Sequence, residues 1–173
     1  MIRKVLIGTG AILGCFLLQT NLFPAFRLAA VTPNLLIVLV ASCGFMRGQT
    51  SGMLVGFFSG LLLDAFSGGV LGFNMLLYTS IGYANGYFQR MFFADDIKFP
   101  VIMIGISSLI SSSLTYIAFY FLNGDFAFWN QLRRVVIPEL IYTMLLSIPL
   151  YRLILAVHTH LEKTESKRAS KFV

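Results

Sequence analysis

The sequence predicts an all-α polytopic membrane protein, a bundle of six transmembrane helices with both termini in the cytoplasm. Three observations carry this. Hydrophobic residues make up 57% of 173 residues and charged residues only 12%, about half the share of a soluble domain. The mean hydropathy is +0.82. Six apolar runs follow one another, most joined by short connections, and spans of roughly 20 residues fill this length. A disordered chain, a coiled coil and a water-soluble domain are excluded on composition. A transmembrane barrel is excluded because ten-residue alternation is missing.

The first run extends from Val5 to about Leu22 behind Arg3 and Lys4. A cleaved signal peptide has the same start, but no small-x-small site precedes Asn21, so the run reads as a true span. The second covers about Pro33 to Phe45, with an extension back to Leu28 open, and Pro33 suits a first helical turn. The third covers about Ser51 to Phe66, the fourth Leu71 to Phe88, the fifth Pro100 to Leu122 and the sixth Val135 to Val157. Their lengths argue helix. The chain divides into a transmembrane domain, 1–157, and a charged cytoplasmic tail, 158–173, expected as a fraying helix end at the membrane surface.

Orientation follows from basic residues. With the N-terminus inside, Arg3, Lys4, Arg47, Arg90, Lys98, Arg152, Lys163, Lys167, Arg168 and Lys171 are cytoplasmic, against Arg27, Arg133 and Arg134 outside. Positive charge favours the cytoplasmic side. The same rule accounts for the net charge of +6, and nucleic-acid binding is not expected. The two cysteines, Cys15 and Cys43, differ in predicted depth, which argues against a disulfide. Metal ligation is not expected, since Cys and His do not cluster.

Small and polar residues carry the remaining information. Gly48, Gly52, Gly56 and Gly60 recur every four residues in the third span. Such a stripe lets helix backbones approach closely in lipid. It serves packing inside the bundle or docks a partner's helix. Gly10 and Gly14 repeat the spacing in the first span, Gly82 and Gly86 in the fourth. Asp64 sits near the outer end of the third span. An ionisable residue at membrane depth faces protein or a wet cavity. A structural contact, with Arg133 or Arg134 as partner, competes with simple solvation, a ligand contact or a proton site. Glu139 follows Pro138, where a carboxylate suits the helix N-terminal dipole. Asp64, Asn74, Tyr78 and Glu139 all fall in the outer half. They line one outward polar pocket or satisfy one another in a packed bundle. Ser107, Ser108, Ser111, Ser112 and Thr115 give the fifth span a hydroxyl face, the usual glue between helices.

No enzyme is expected. The only histidines, His158 and His160, lie in the tail, which removes a Ser-His-Asp arrangement from the membrane. No phosphate-binding Gly-Lys-Ser/Thr loop occurs, and no cofactor is expected.

The stretch Gly56-Phe-Phe-Ser-Gly60-Leu-Leu-Leu-Asp64-Ala-Phe-Ser67-Gly-Gly-Val-Leu-Gly72 resembles the rod shape-determining protein MreD family. Its pattern there is Gly, a hydrophobic run, Asp, then a Ser/Gly-rich turn ending in Gly. Pro33-Asn34-Leu35-Leu36 is similar to the family's opening of the second span, with Asn34 where an acid is frequent. The resemblance carries Pro33, Gly60, Asp64, Ser67 and Gly72 as motif residues. It implies a noncatalytic scaffold or regulator of cell elongation in the bacterial cytoplasmic (inner) membrane, multi-pass. The implied partner is MreC. That pair links MreB and RodZ to the peptidoglycan polymerase RodA and its class B penicillin-binding partner. The basic tail adds contact with membrane lipid. The family is also similar in fold to the substrate-binding S components of energy-coupling factor transporters. The alternative is therefore such a component, with Asp64, Asn74, Tyr78 and Glu139 around a solute.

Overall fold

A computed structural model describes residues 2–22, 32–67, 71–91, 98–123 and 135–169. Among them the chain is entirely helical. Six α-helices are α1 (Ile2–Leu17), α2 (Leu35–Arg47), α3 (Gln49–Ser67), α4 (Phe73–Tyr87), α5 (Lys98–Asn123) and α6 (Ile137–Ala169). A π-helical turn, Leu18–Leu22, prolongs α1, and a 3-10 turn, Phe88–Met91, follows α4. Arg27, Arg133 and Arg134 lie outside the described residues. Within α5 and α6, Lys98–Ala118 and Ile137–Thr159 are each long and apolar enough to cross a membrane.

The middle of the bundle is α2. Leu36, Ile37, Val38 and Val40 have no exposed surface. They pack on Ile12 and Phe16 of α1, Leu77 and Ile81 of α4, and Ile104 of α5 and Tyr151 of α6. A helix apolar all round belongs in such a place. Its start differs from the sequence expectation. Pro33 does not enter the helix, because Asn34 is the N-cap, its Oδ1 accepting from the Ile37 N–H at 3.2 Å. Proline precedes the cap and is buried. The other ends shift by a few residues, as expected where caps rather than hydropathy set them. The exception is α6, which runs past Val157 to Ala169 without a break. Cys15 and Cys43 are unlinked and both belong to the core around α2.

The glycine stripe of α3 faces α4. A Cβ on Gly52 would strike the backbone of Gly82, on Gly56 that of Tyr78, and on Gly60 that of Asn74 and Met75. Conversely, a Cβ on Gly82 would meet Gly52, and one on Gly86 would meet Gln49. Gly44 of α2 joins the seam, its Cβ position 2.7 Å from the Gly82 carbonyl oxygen. The two stripes therefore interlock antiparallel, and this face of α3 is already occupied from inside the chain. Gly10 and Gly14 are different: nothing lies within 4 Å of a Cβ at either.

This contrast sets a test. Gly56→Ala must push α3 and α4 apart, costing about 2 kcal/mol. Gly14→Ala meets nothing and gains helix propensity, so its stability should stay level or rise by up to about 1 kcal/mol. Unfolding of the two variants in mixed detergent micelles measures the difference. Equal effects would remove the seam.

Candidate functional site

The seam ends in a carboxylate. Gly48, Gly52, Gly56 and Gly60 are spaced by four, and Asp64 is the next member of the series. Helical residues four apart share a face, so Asp64 points at α4 as the glycines do. There it meets the helix start. Asp64 Oδ2 accepts the backbone N–H groups of Gly72 and Met75, both at 3.0 Å. Oδ1 accepts the Asn74 backbone N–H at 3.2 Å and the Asn74 Nδ2 at 2.8 Å. The first N–H groups of a helix lack partners within the helix and carry partial positive charge. A carboxylate with two oxygens and four donors satisfies both needs. Asp64 is only 3% exposed, and a buried charge persists only when so completely paired.

The turn between the helices has its own requirement. Gly72 precedes α4 at φ +97°, a region side chains rarely adopt. Glycine has no side chain to cap with, so the cap comes from Asp64, eight residues upstream. Ser67 ends α3; its side chain, with Gly68 and Gly69, lies outside the described residues.

A second polar group sits beside this one. The Tyr78 hydroxyl donates to Asn34 Oδ1 at 3.0 Å and accepts from Asn34 Nδ2 at 2.7 Å. The Asn34 backbone N–H donates to Thr143 Oγ1 at 3.2 Å, and the Thr143 hydroxyl donates to the Glu139 carbonyl at 2.7 Å. Gln19 Oε1 accepts the Leu36 N–H at 3.3 Å. Residues of α2, α4 and α6 thus meet at the N-terminus of α2. Glu139 stands in the first turn of α6, and its carboxylate accepts from Ser112 of α5.

The four residues of the expected outer pocket are therefore divided. Asp64 and Asn74 bind each other and the start of α4. Tyr78 is directed to Asn34, and Glu139 to Ser112. Gly48 and Gly72 hold the two positive-φ turns, at φ +88° and +97°. Sequence reasoning did not assign Asn34 and Gln19 as caps. For Asn34 a signal existed, an Asn immediately before an apolar run. For Gln19 none did, since its acceptor role depends on where α1 lies. The pairing of Asn85 Nδ2 with Ser107 Oγ at 2.8 Å was also unassigned; it is the contact through which the hydroxyl face of α5 engages α4.

Among known proteins, a family model described as rod shape-determining protein MreD matches residues 2–159. No curated protein and no solved structure matches the chain.

Replacing Asp64 tests the capping role. Asp64→Ala leaves the Gly72, Asn74 and Met75 N–H groups without an acceptor and should cost about 3 kcal/mol or more. Asp64→Asn keeps one acceptor oxygen and should lose roughly half as much. Hydrogen exchange should accelerate at Gly72, Asn74 and Met75 before it does so in the middle of α2. Unchanged exchange there would exclude the cap.

Proposed function

The chain belongs to the rod shape-determining protein MreD family, and on that premise we propose that it is a noncatalytic scaffold of the cell-elongation complex, crossing the bacterial inner membrane six times with both termini in the cytoplasm. The family is one of shape-determining structural proteins, and its part is in rod shape determination. MreC is the direct partner in this reading. Through it the chain is coupled to MreB and RodZ on one side of the membrane and to RodA with its class B penicillin-binding protein on the other.

One observation carries the scaffold reading: the motif residues are engaged in holding helices together. Gly60 lets α3 approach α4, Asp64 caps α4, and Gly72 turns the chain between them. A catalytic or solute-binding carboxylate needs free valence toward its substrate. Asp64 has two oxygens and four donors already. The bundle's exterior supports the same reading. Large apolar side chains such as Leu54, Phe58, Leu76 and Leu145 are more than half exposed, a surface made for lipid and for other membrane helices. The alternative, a vitamin-transporter S component, needs Asp64, Asn74, Tyr78 and Glu139 around one solute, whereas Asp64 and Asn74 bind each other, Tyr78 binds Asn34 and Glu139 binds Ser112.

Affinity purification from native membranes, followed by mass spectrometry, tests the proposal. MreC should be recovered together with the elongation synthase, and depletion of the chain should round the cells. Recovery of an ATPase pair with a coupling membrane subunit would instead establish a transporter component.

A further inference from the structure

We propose that the pocket at the turn between α2 and α3 binds the phosphate of an anionic phospholipid. The pocket encloses about 740 Å³. Arg47, Gly48, Gln49 and Thr50 form one wall, and the last turn of α4 with Gln89 forms the other. Its shape is set by a single-residue connection. Gly48, at φ +88°, lets α3 start one residue after α2 stops, and the Gln89 side chain lies over Gly48 where a Cβ would otherwise sit.

The pocket lies at an end of the bundle where water meets lipid. Phe45 packs on Phe99 in a tilted contact with ring centroids 5.6 Å apart, so α2 ends level with the start of α5. The membrane-long segment of α5 begins there, at Lys98. Tyr87, 68% exposed, lies in the same wall, and tyrosine is typical of the membrane interface. Head groups therefore reach this depth without penetrating the hydrocarbon.

Charge selects the ligand. Arg47 is half-buried in the pocket, and the acidic side chains of Asp64 and Glu139 are engaged at the opposite end of the helices. A guanidinium presents a planar fork of donors that matches two phosphate oxygens. The Thr50 hydroxyl and the Gln89 and Gln49 amides add neutral donors, while the Tyr87 and Phe88 rings offer apolar surface for the glycerol backbone. This mixture fits a lipid head group better than a free phosphate, which has no apolar part to cover. The inference stands apart from the choice of protein partner and rests only on the membrane placement of this end.

Native mass spectrometry of the full-length chain in detergent provides the test, with phosphatidylglycerol and phosphatidylcholine of identical acyl chains as probes. The wild type should hold phosphatidylglycerol about tenfold more tightly. Arg47→Gln should abolish that preference. Thr50→Trp, which fills the pocket and keeps the arginine, should do the same. Lys98→Gln, at the same end but outside the pocket, should leave it intact. Equal retention of the two lipids by the wild type would overturn the proposal. So would an equal loss in Arg47→Gln and Lys98→Gln, which would reduce the effect to surface charge, or displacement of the lipid by millimolar inorganic phosphate. Sedimentation with membranes that resists carbonate extraction checks the placement separately. A chain failing that step refutes the membrane reading, whatever its lipid preference.

Discussion

Two helices can share one carboxylate cap only if their backbones nearly touch, and that constraint organises this bundle. Gly52, Gly56 and Gly60 remove every side chain between α3 and α4. The approach places Asp64 within hydrogen-bonding reach of the first N–H groups of α4. The dependence runs both ways. Without the glycines the carboxylate would stand too far from the helix start. Without the carboxylate, three part-buried N–H groups would lack this acceptor, at a cost of up to about 1–3 kcal/mol each. Seam and cap are therefore one device, and the chain reversal at Gly72 is its hinge.

The rest of the polar chemistry follows the same logic around α2. This helix is too apolar to hold its own start in place, so Asn34 and Gln19 accept its first free N–H groups. Asn34 then fixes Tyr78 of α4, and its backbone meets Thr143 of α6. Hydrophobic drive between helices is weak in lipid, and packing with interhelical hydrogen bonds replaces it. Asn34, Tyr78 and Thr143 perform that task between α2, α4 and α6. Their clustering has this origin: helix starts at one end of the bundle need acceptors at that end.

The glycine spacing made a tight contact of the third span legible, and the same spacing at Gly82 and Gly86 lies on the matching face of α4. Hydropathy located each helix, and its ends to within a few residues except at the C-terminal end of α6. Asp64 was visible as a costly charge and Asn74 as a residue that could satisfy it, but the backbone N–H groups of Gly72, Asn74 and Met75 were not, because a helix terminus has no letter in the sequence; Arg133 and Arg134 lie outside the described residues. The role of Pro33 was misplaced by one structural step for a related reason. Proline suits a first helical turn, but the asparagine after it caps better than it propagates. Beyond Val157 the expected helix end continues unbroken to Ala169, since Glu, Lys, Arg and Ala all favour helix.

The distribution of open and closed surfaces also decides where partner binding can be sought. Residues of the seam are occupied from within, so any substitution large enough to block a partner there first separates α3 from α4. Loss of function at Gly52 or Gly56 would then report unfolding, not recognition. The exposed faces are the informative ones. A Cβ on Gly10 or Gly14 of α1 would meet nothing within 4 Å among the described residues, and Ile106, Ile110 and Leu114 of α5 stand about half exposed. Side chains can be enlarged at these places without cost to the bundle itself. A bundle built this way separates the residues that fold it from the residues available to others, and Gly60, Asp64 and Gly72 belong to the first set.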